Sequence, residues 1–210
     1  MSNTLLRIIT SIILLPIFVL ILHLNNNYFL FLLALILFIS AYEIKFFLFK
    51  KKIIFLLLVF LLVLFIYSLF KLRGDDLTDF YNLMWIMSIV WLSDIGGFVA
   101  GRLLQGPKLT KWSPNKTIAG FFGSIIFSQL SFLLIYFVHN TIFTLKIFII
   151  QVVLCLVAIV GDIFFSYIKR KNNLKDYSNL IPGHGGLLDR IDGLIFVIIL
   201  AYFFKIFDVY

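Results

Sequence analysis

Ser166-Tyr167-Ile168-Lys169-Arg170, Lys175-Asp176, Ile181-Pro182-Gly183-His184-Gly185-Gly186 and Leu188-Asp189-Arg190-Ile191-Asp192 follow one another in a single polar stretch. An apolar run lies on each side of it, 142–168 before and 191–208 after. A helix needs about 20 apolar residues to cross the hydrocarbon core of a bilayer. The stretch therefore reads as a charged loop between two membrane spans, and that reading fixes the fold class.

Working outward, further apolar runs centre on 5–24, 28–48, 53–71, 79–100 and 118–138. They are continuous and lack the alternation of a membrane β-barrel strand. The 210 residues are 62% hydrophobic and 13% charged, more apolar surface than a soluble domain of this length can hide. The expectation is an all-α, polytopic helical integral membrane protein with about seven spans and one membrane domain over 1–210. No small-residue cleavage site follows the first run, so it reads as a retained span and not a removable signal peptide. The lone Cys155 lies mid-run and has no internal disulfide partner. No Cys/His constellation suggests zinc.

Basic residues set the orientation. With the N-terminus in the cytoplasm, 14 of the 18 Lys and Arg fall on the cytoplasmic side, and only Lys71, Arg73, Lys146 and Lys205 on the other. Topology and anionic lipid account for Lys50-Lys51-Lys52. They do not account for the glycines, prolines and carboxylates of the other two cytoplasmic loops.

Those loops carry the residues with chemistry. Asp94, in Ser93-Asp94-Ile95-Gly96-Gly97, is an ionisable group near the end of a membrane run, a position that is functional by default. Pro107 breaks any match of Gly101…Gly106…Lys108 to a phosphate loop. Ser113, Lys116 and Thr117, before the fifth span, suit anion binding at a helix N-terminus. Asp162, Ser166 and Lys169/Arg170 share one helix face by their spacing. Asp94, Asp162, Asp176, Asp189 and Asp192 are hard oxygen donors suited to Mg²⁺, which takes one or two carboxylates plus phosphate oxygens and water. Lys169, Arg170, Lys175 and Arg190 can neutralise a polyphosphate. Gly183, Gly185 and Gly186 let the backbone turn tightly, and His184 among them could donate to a phosphate oxygen.

The segment Ser166-x-x-Lys169-Arg170 through Ile181-Pro182-Gly183-His184-Gly185-Gly186-x-Leu188-Asp189-Arg190-x-Asp192 closely resembles the signature of the phosphatidate cytidylyltransferases (CDP-diacylglycerol synthases). Asp94-x-Gly96-Gly97-x3-Gly101-Arg102, Ser113-Pro114-x-Lys116-Thr117-x2-Gly120 and Gly161-Asp162 resemble the same family, and Ala41-Tyr42-Glu43 matches its acidic position there more briefly. The resemblance implies transfer of a cytidylyl group from CTP to phosphatidate, giving CDP-diacylglycerol and pyrophosphate, for phospholipid biosynthesis. It implies N-terminal helices over 1–75 and catalytic helices and cytoplasmic loops over 79–210. It assigns catalysis to Asp162, Asp189, Lys169, Arg170 and Asp192. Substrate binding falls to Arg102, Ser113, Lys116, Thr117, Ser166, Lys175, His184, Gly185, Gly186 and Arg190, with both loops closing over one pocket. Asp162 and Asp189 would be the core metal pair, with Asp94 and Asp192 nearby, for Mg²⁺ and room for a second cation. The implied partners are CTP, phosphatidate and membrane lipid, with no nucleic acid; a homodimer is allowed. The implied location is the cytoplasmic (inner) cell membrane, multi-pass, with the active site on the cytoplasmic face.

Two departures stand out. Ala119 occupies the position where the family usually has Glu, and the chain is short for the family, which implies fewer N-terminal spans. Alternatives are a non-catalytic relative and an ion-coupled transporter using Asp94 and Asp162, although no inverted repeat accompanies the latter. Asp189-x-x-Asp192-Gly193 also matches the start of the CDP-alcohol phosphotransferase motif, but its remaining residues are absent.

The basic-residue split predicts topology. Cysteines introduced at Asn26, Asp76 and Asn140 should react with an impermeant thiol reagent from outside the cell membrane, and those at Ser113 and Ser178 should not. Labelling at position 113 from outside would overturn the orientation.

Overall fold

The computed structural model describes residues 16–24, 26–181 and 185–206. Residues 1–15, most of the first predicted span, and His184 lie outside the described residues. The helices are α1 (16–23), α2 (Asn26–Lys50), α3 (Lys52–Arg73), α4 (Leu77–Leu104), α5 (Ile118–Ser128), α6 (Phe132–His139), α7 (Leu145–Lys171) and α8 (Leu188–Ile206). There is no strand among the described residues, only two isolated antiparallel bridges. Among the described residues, five segments are long and apolar enough to cross a membrane: Asn26–Lys45, Lys52–Arg73, Leu77–Leu104, Ile118–His139 and Leu145–Lys171. The protein is a helical membrane protein. In α8 the charges of Asp189, Arg190 and Asp192 occupy the start, and the apolar part begins at Gly193.

The chain forms two compact units. The first contains the described residues up to Tyr67 together with Asn173–Ile191; the second contains Ser68–Asn172 and the described residues from Asp192 onward.

In the first unit, α2 buries one stripe: Phe29, Leu33, Ile36, Ser40, Glu43, Ile44 and Phe47. Steps of three and four residues keep these positions on one side of the helix. Phe31 and Phe38, on other faces, are 71% and 74% exposed, as suits lipid-facing side chains.

In the second unit, α4 and α5 form an antiparallel hairpin built on small residues. Gly96, Gly97 and Gly101 of α4 face Gly120, Gly123 and Ser124 of α5, and an added Cβ at Gly96 or Gly123 would run into the other's backbone oxygen. Without side chains between them the two backbones approach closely, the usual source of helix association in lipid. Ser124 Oγ then reaches across to donate to the Ser93 carbonyl at 2.8 Å. The fifth predicted span is continuous in hydropathy but not in geometry. Ser128 Oγ (2.8 Å) and Gln129 Nε2 (3.3 Å) both donate back to the Ile125 carbonyl. Such side-chain competition for a helix carbonyl bends or tightens the chain, and a 3₁₀ turn over Gln129–Ser131 separates α5 from α6. The buried Gln151 of α7 meets that turn. Its carboxamide oxygen accepts from Ser131 Oγ (2.7 Å) and Phe132 N (3.0 Å), and its nitrogen donates to Gln129 Oε1 (2.9 Å). Interhelical bonds of this kind contribute about 0.6 kcal/mol each in membranes.

The sixth predicted span begins at Leu145 and not Ile142, because Thr144 caps it, its side chain accepting from Ile147 N at 3.3 Å. Its 27 residues give a length of about 40 Å against a hydrocarbon core of about 30 Å. At its far end Gly161 lies against Gly193 and the Asp192 carbonyl of α8, with Phe196 packed edge-on to Phe164 and Phe165.

The α4–α5 contact gives a stability prediction. Gly123→Leu should destabilise the protein by about 1–3 kcal/mol, the usual cost of overpacking, whereas Phe122→Leu on the exposed side of α5 should change it by less than about 0.5 kcal/mol. Thermal unfolding in detergent measures both; equal midpoints for the two variants would refute the close contact.

Candidate functional site

The chain between α4 and α5 is ordered by its own backbone. Gln105 and Gly106 take positive φ (53° and 110°) and turn the chain out of α4. Leu109 N donates to Lys116 O (2.8 Å) and Ile118 N to Pro107 O (3.0 Å), so the segment closes on itself as a short antiparallel loop. Within it, Lys116 N donates to Ser113 O (3.1 Å) and Ser113 N to Thr110 Oγ1 (3.1 Å). Thr117 is the N-cap of α5, its hydroxyl oxygen accepting from Gly120 N at 3.0 Å. Beneath the loop is a cavity of about 200 Å³ lined by Asp94, Gly97, Asn115, Lys116, Thr117, Gly120 and Ser124 among others. Two of the glycines that let α4 and α5 approach, Gly97 and Gly120, thus also line the cavity, together with a carboxylate, an ammonium, an amide and the apolar Phe98, Phe121 and Ile159.

The Lys116 ammonium forms an ion pair with Asp162 on α7. One turn further on, Ser166 Oγ donates to Asp162 Oδ1 at 3.4 Å, as the spacing of four predicts. Asp192 lies within electrostatic range of Asp162 and Asp94, two like charges, and of Lys169. Lys169 is buried despite its charge. Trp112 of the loop packs edge-on to Tyr167 of α7, with ring centroids 4.8 Å apart.

These groups fit a hard divalent cation in kind. They are carboxylate oxygens, and Asp162 and Asp192 are near enough to repel, a juxtaposition that favours a bound cation. Among the described residues no three His, Cys, Asp or Glu side chains gather into one metal-holding group. Mg²⁺ asks for only one or two protein carboxylates when phosphate oxygens and water complete its shell.

In the first unit the segment before α8 is held by two carboxylates. Asp189 Oδ2 accepts from Tyr177 N and Gly186 N, both at 2.9 Å. Glu43 Oε1 accepts from Ser178 Oγ (2.6 Å) and Leu187 N (2.7 Å), and its Oε2 from Leu188 N (2.8 Å). Ile181 and Gly185 exchange both backbone bonds, at 2.8 and 3.1 Å. Gly185 has φ +86°, a conformation that explains why glycine stands there.

The structure thus places Asp94, Lys116, Asp162, Ser166, Lys169 and Asp192 in the second unit, with Thr117 acting as a helix cap and Ser113 bracing the loop. Arg102 lies in the last turn of α4 with its guanidinium 5.9 Å from the Phe98 ring centre. Arg170 is exposed at the end of α7. Lys175, Gly185, Gly186, Asp189 and Arg190 belong to the first unit, where Lys175 and Arg190 are exposed. Sequence reasoning missed Asn115, a cavity wall, and underrated Glu43. The available signal for Glu43 was a lone acid in step with Ser40, Ile44 and Phe47.

The sequence model of the cytidylyltransferase family matches residues 45–207. A phosphatidate cytidylyltransferase of Rickettsia bellii is 35% identical over 213 residues, 96% of this chain and 90% of that protein. That of Rickettsia conorii is 32% identical over 217 residues, 98% and 93% respectively. A phosphatidate cytidylyltransferase of Brucella suis is 37% identical over 138 residues, 65% of this chain but 51% of that protein, so the chain spans about half the length of this relative. The match covers α3 to α8 and with them every carboxylate and lysine of the cavity, and the chain belongs to the cytidylyltransferase family.

Proposed function

We propose that this protein transfers the cytidylyl group of CTP to phosphatidate. The observation that carries the reading is the Lys116–Asp162 ion pair, with Asp192 in electrostatic range of Asp162, beside a cavity that Asp94 and Lys116 help to line, in a membrane protein of this family. A phosphate oxygen of phosphatidate attacks the α-phosphorus of CTP. The bond from that phosphorus to the oxygen bridging to the β-phosphate breaks, and pyrophosphate leaves with the electron pair. Both substrates are anions, so the chain must neutralise charge and fix orientation more than supply covalent chemistry.

Lys116 is suited to neutralising that charge, because its ammonium is already held by Asp162 and can exchange part of that contact for a phosphate oxygen. Lys169 and Arg170 of the same unit supply further positive charge, and Lys175 and Arg190 are added on the family resemblance alone. Asp162 and Asp192, with Asp94, are the carboxylates of the second unit that would hold Mg²⁺, and Asp189 is retained as a ligand on the family resemblance. Mg²⁺ when bound draws charge from phosphate oxygens. The basic-residue split supports a site on the cytoplasmic face of the cell membrane, where CTP arrives from water and phosphatidate from lipid.

The test is incorporation of radiolabelled CTP into lipid by the purified protein in phosphatidate-containing nanodiscs. Asp162→Asn and Asp189→Asn should each lower turnover by at least about a hundredfold, with the melting temperature little changed. Lys116→Ala should raise the CTP concentration needed for half-maximal rate, whereas Lys51→Ala should not. An Asp162→Asn protein with normal activity at limiting Mg²⁺ removes that residue from the site.

Ala119 is the second residue of α5, one place past Ile118. A carboxylate in that first turn is compatible with the helix dipole. Ala119→Glu should therefore be tolerated, with cytidylyl transfer unchanged or higher. A natural protein without activity that gains it on Ala119→Glu would instead be a disabled relative.

A further inference from the structure

Glu43 is 4% exposed and sits in a stripe that is otherwise apolar but for Ser40. A carboxylate buried this way is costly unless donors surround it. Here the donors come from far along the chain: the Ser178 hydroxyl and the amides of Leu187 and Leu188, 135 to 145 residues away in sequence. Leu188 is the first residue of α8 and Leu187 directly precedes it, at the end where backbone N–H groups have no partner within the helix. Glu43 is thus a cap for α8 supplied by another helix, and its negative charge lies at the positive end of the α8 dipole.

The same segment carries Asp189. Its Oδ2 accepts from Gly186 N, the residue just before the two amides held by Glu43, and from Tyr177 N, the residue just before Ser178. Glu43 and Asp189 therefore grip adjacent links of one short piece of chain. Gly186 is fitted to this arrangement: a Cβ there would lie 2.6 Å from Glu43 Oε1 and 3.0 Å from Ser178 Oγ. Phe47, one turn after Glu43 on the same stripe, packs edge-on to Tyr177 at 6.3 Å between ring centroids.

We propose that Glu43 is a positioning residue for the transfer reaction, fixing Ser178, Leu187 and Leu188 and through them the Asp189 carboxylate; this rests on the functional reading above. A carboxylate is required and an amide is not equivalent. Both oxygens of Glu43 accept, and they accept from donors alone. A glutamine of the same shape would turn an NH₂ group toward Leu188 N, or toward Ser178 Oγ and Leu187 N. One end of the contact then becomes donor against donor.

Glu43→Gln separates this role from general packing. Hydrogen exchange of the nanodisc-embedded protein should show the Tyr177, Gly186, Leu187 and Leu188 amides exchanging at least about tenfold faster. Amides of α4 and α7 should be unchanged, and the melting temperature should stay within about 3 °C. Turnover should fall at least about tenfold with the KM for CTP within about twofold, the pattern of a misplaced reacting group and not of lost binding. Ser178→Ala removes one donor and leaves the helix cap, so exchange at Leu187 and Leu188 should stay within about threefold of the unsubstituted chain. The proposal is overturned by Glu43→Gln turnover equal to the unsubstituted chain, by unchanged exchange at the four amides, by loss of the whole fold, or by Ser178→Ala exchange matching that of Glu43→Gln. An unsubstituted chain that makes no CDP-lipid defeats the functional reading, and the exchange measurements still decide what Glu43 holds.

Discussion

Carboxylates surrounded by hydrocarbon must find donors or cations close by, and this requirement organises the protein more than any apolar contact. Asp162 is met by Lys116. Asp79, at the start of α4, is met by Lys205 near the end of α8 at 2.5 Å. Glu43 is met by three donors and Asp189 by two amides. All of these links but those of Asp189 join segments that are distant in sequence, in a molecule whose helix surfaces are otherwise nearly uniform in polarity. Apolar packing tells a soluble helix which side faces inward; in lipid it gives little such direction. Here polar groups and glycines specify which helices meet and in what register.

That difference explains what could be read from the chain. Run length located α2, α3, α4 and α7 closely, because the bilayer imposes its thickness on any spanning helix. The buried stripe of α2 could not be read in the same way. Phe31 and Phe38 are as apolar as Phe29 and Phe47, so hydropathy does not separate the lipid side from the protein side. The 3₁₀ turn after α5 was hidden inside an unbroken apolar run, and only the side chains of Ser128 and Gln129 reveal its cause.

The candidate residues were legible in part for a related reason. Asp94, Lys116, Asp162 and Asp192 are conspicuous because charges are rare in this chain, and the spacing of Asp162 and Ser166 gave their common face. The partner of each charge was not legible. Nothing local in sequence ties Lys116 to Asp162 or Glu43 to Leu188, since those bonds depend on how helices fold back across the membrane. Thr117 illustrates the opposite case. Its position invites a ligand-binding role, yet its hydroxyl oxygen accepts from Gly120 N, so the same residue that marks the site also builds its scaffold.

The length of α7 has a consequence for the lipid around it. Asp162 lies seven residues before Lys169, about 10 Å along the helix axis. With the Lys169–Lys171 end at headgroup level, the Lys116–Asp162 pair sits below that level, at the depth of the upper acyl chains. With that end anchored, a bilayer thinner than α7 is long is met by tilting the helix, so membrane thickness sets the angle at which α7 carries the pair. Acyl-chain length in the surrounding membrane would then act on the orientation of an ion pair through the helix that carries it.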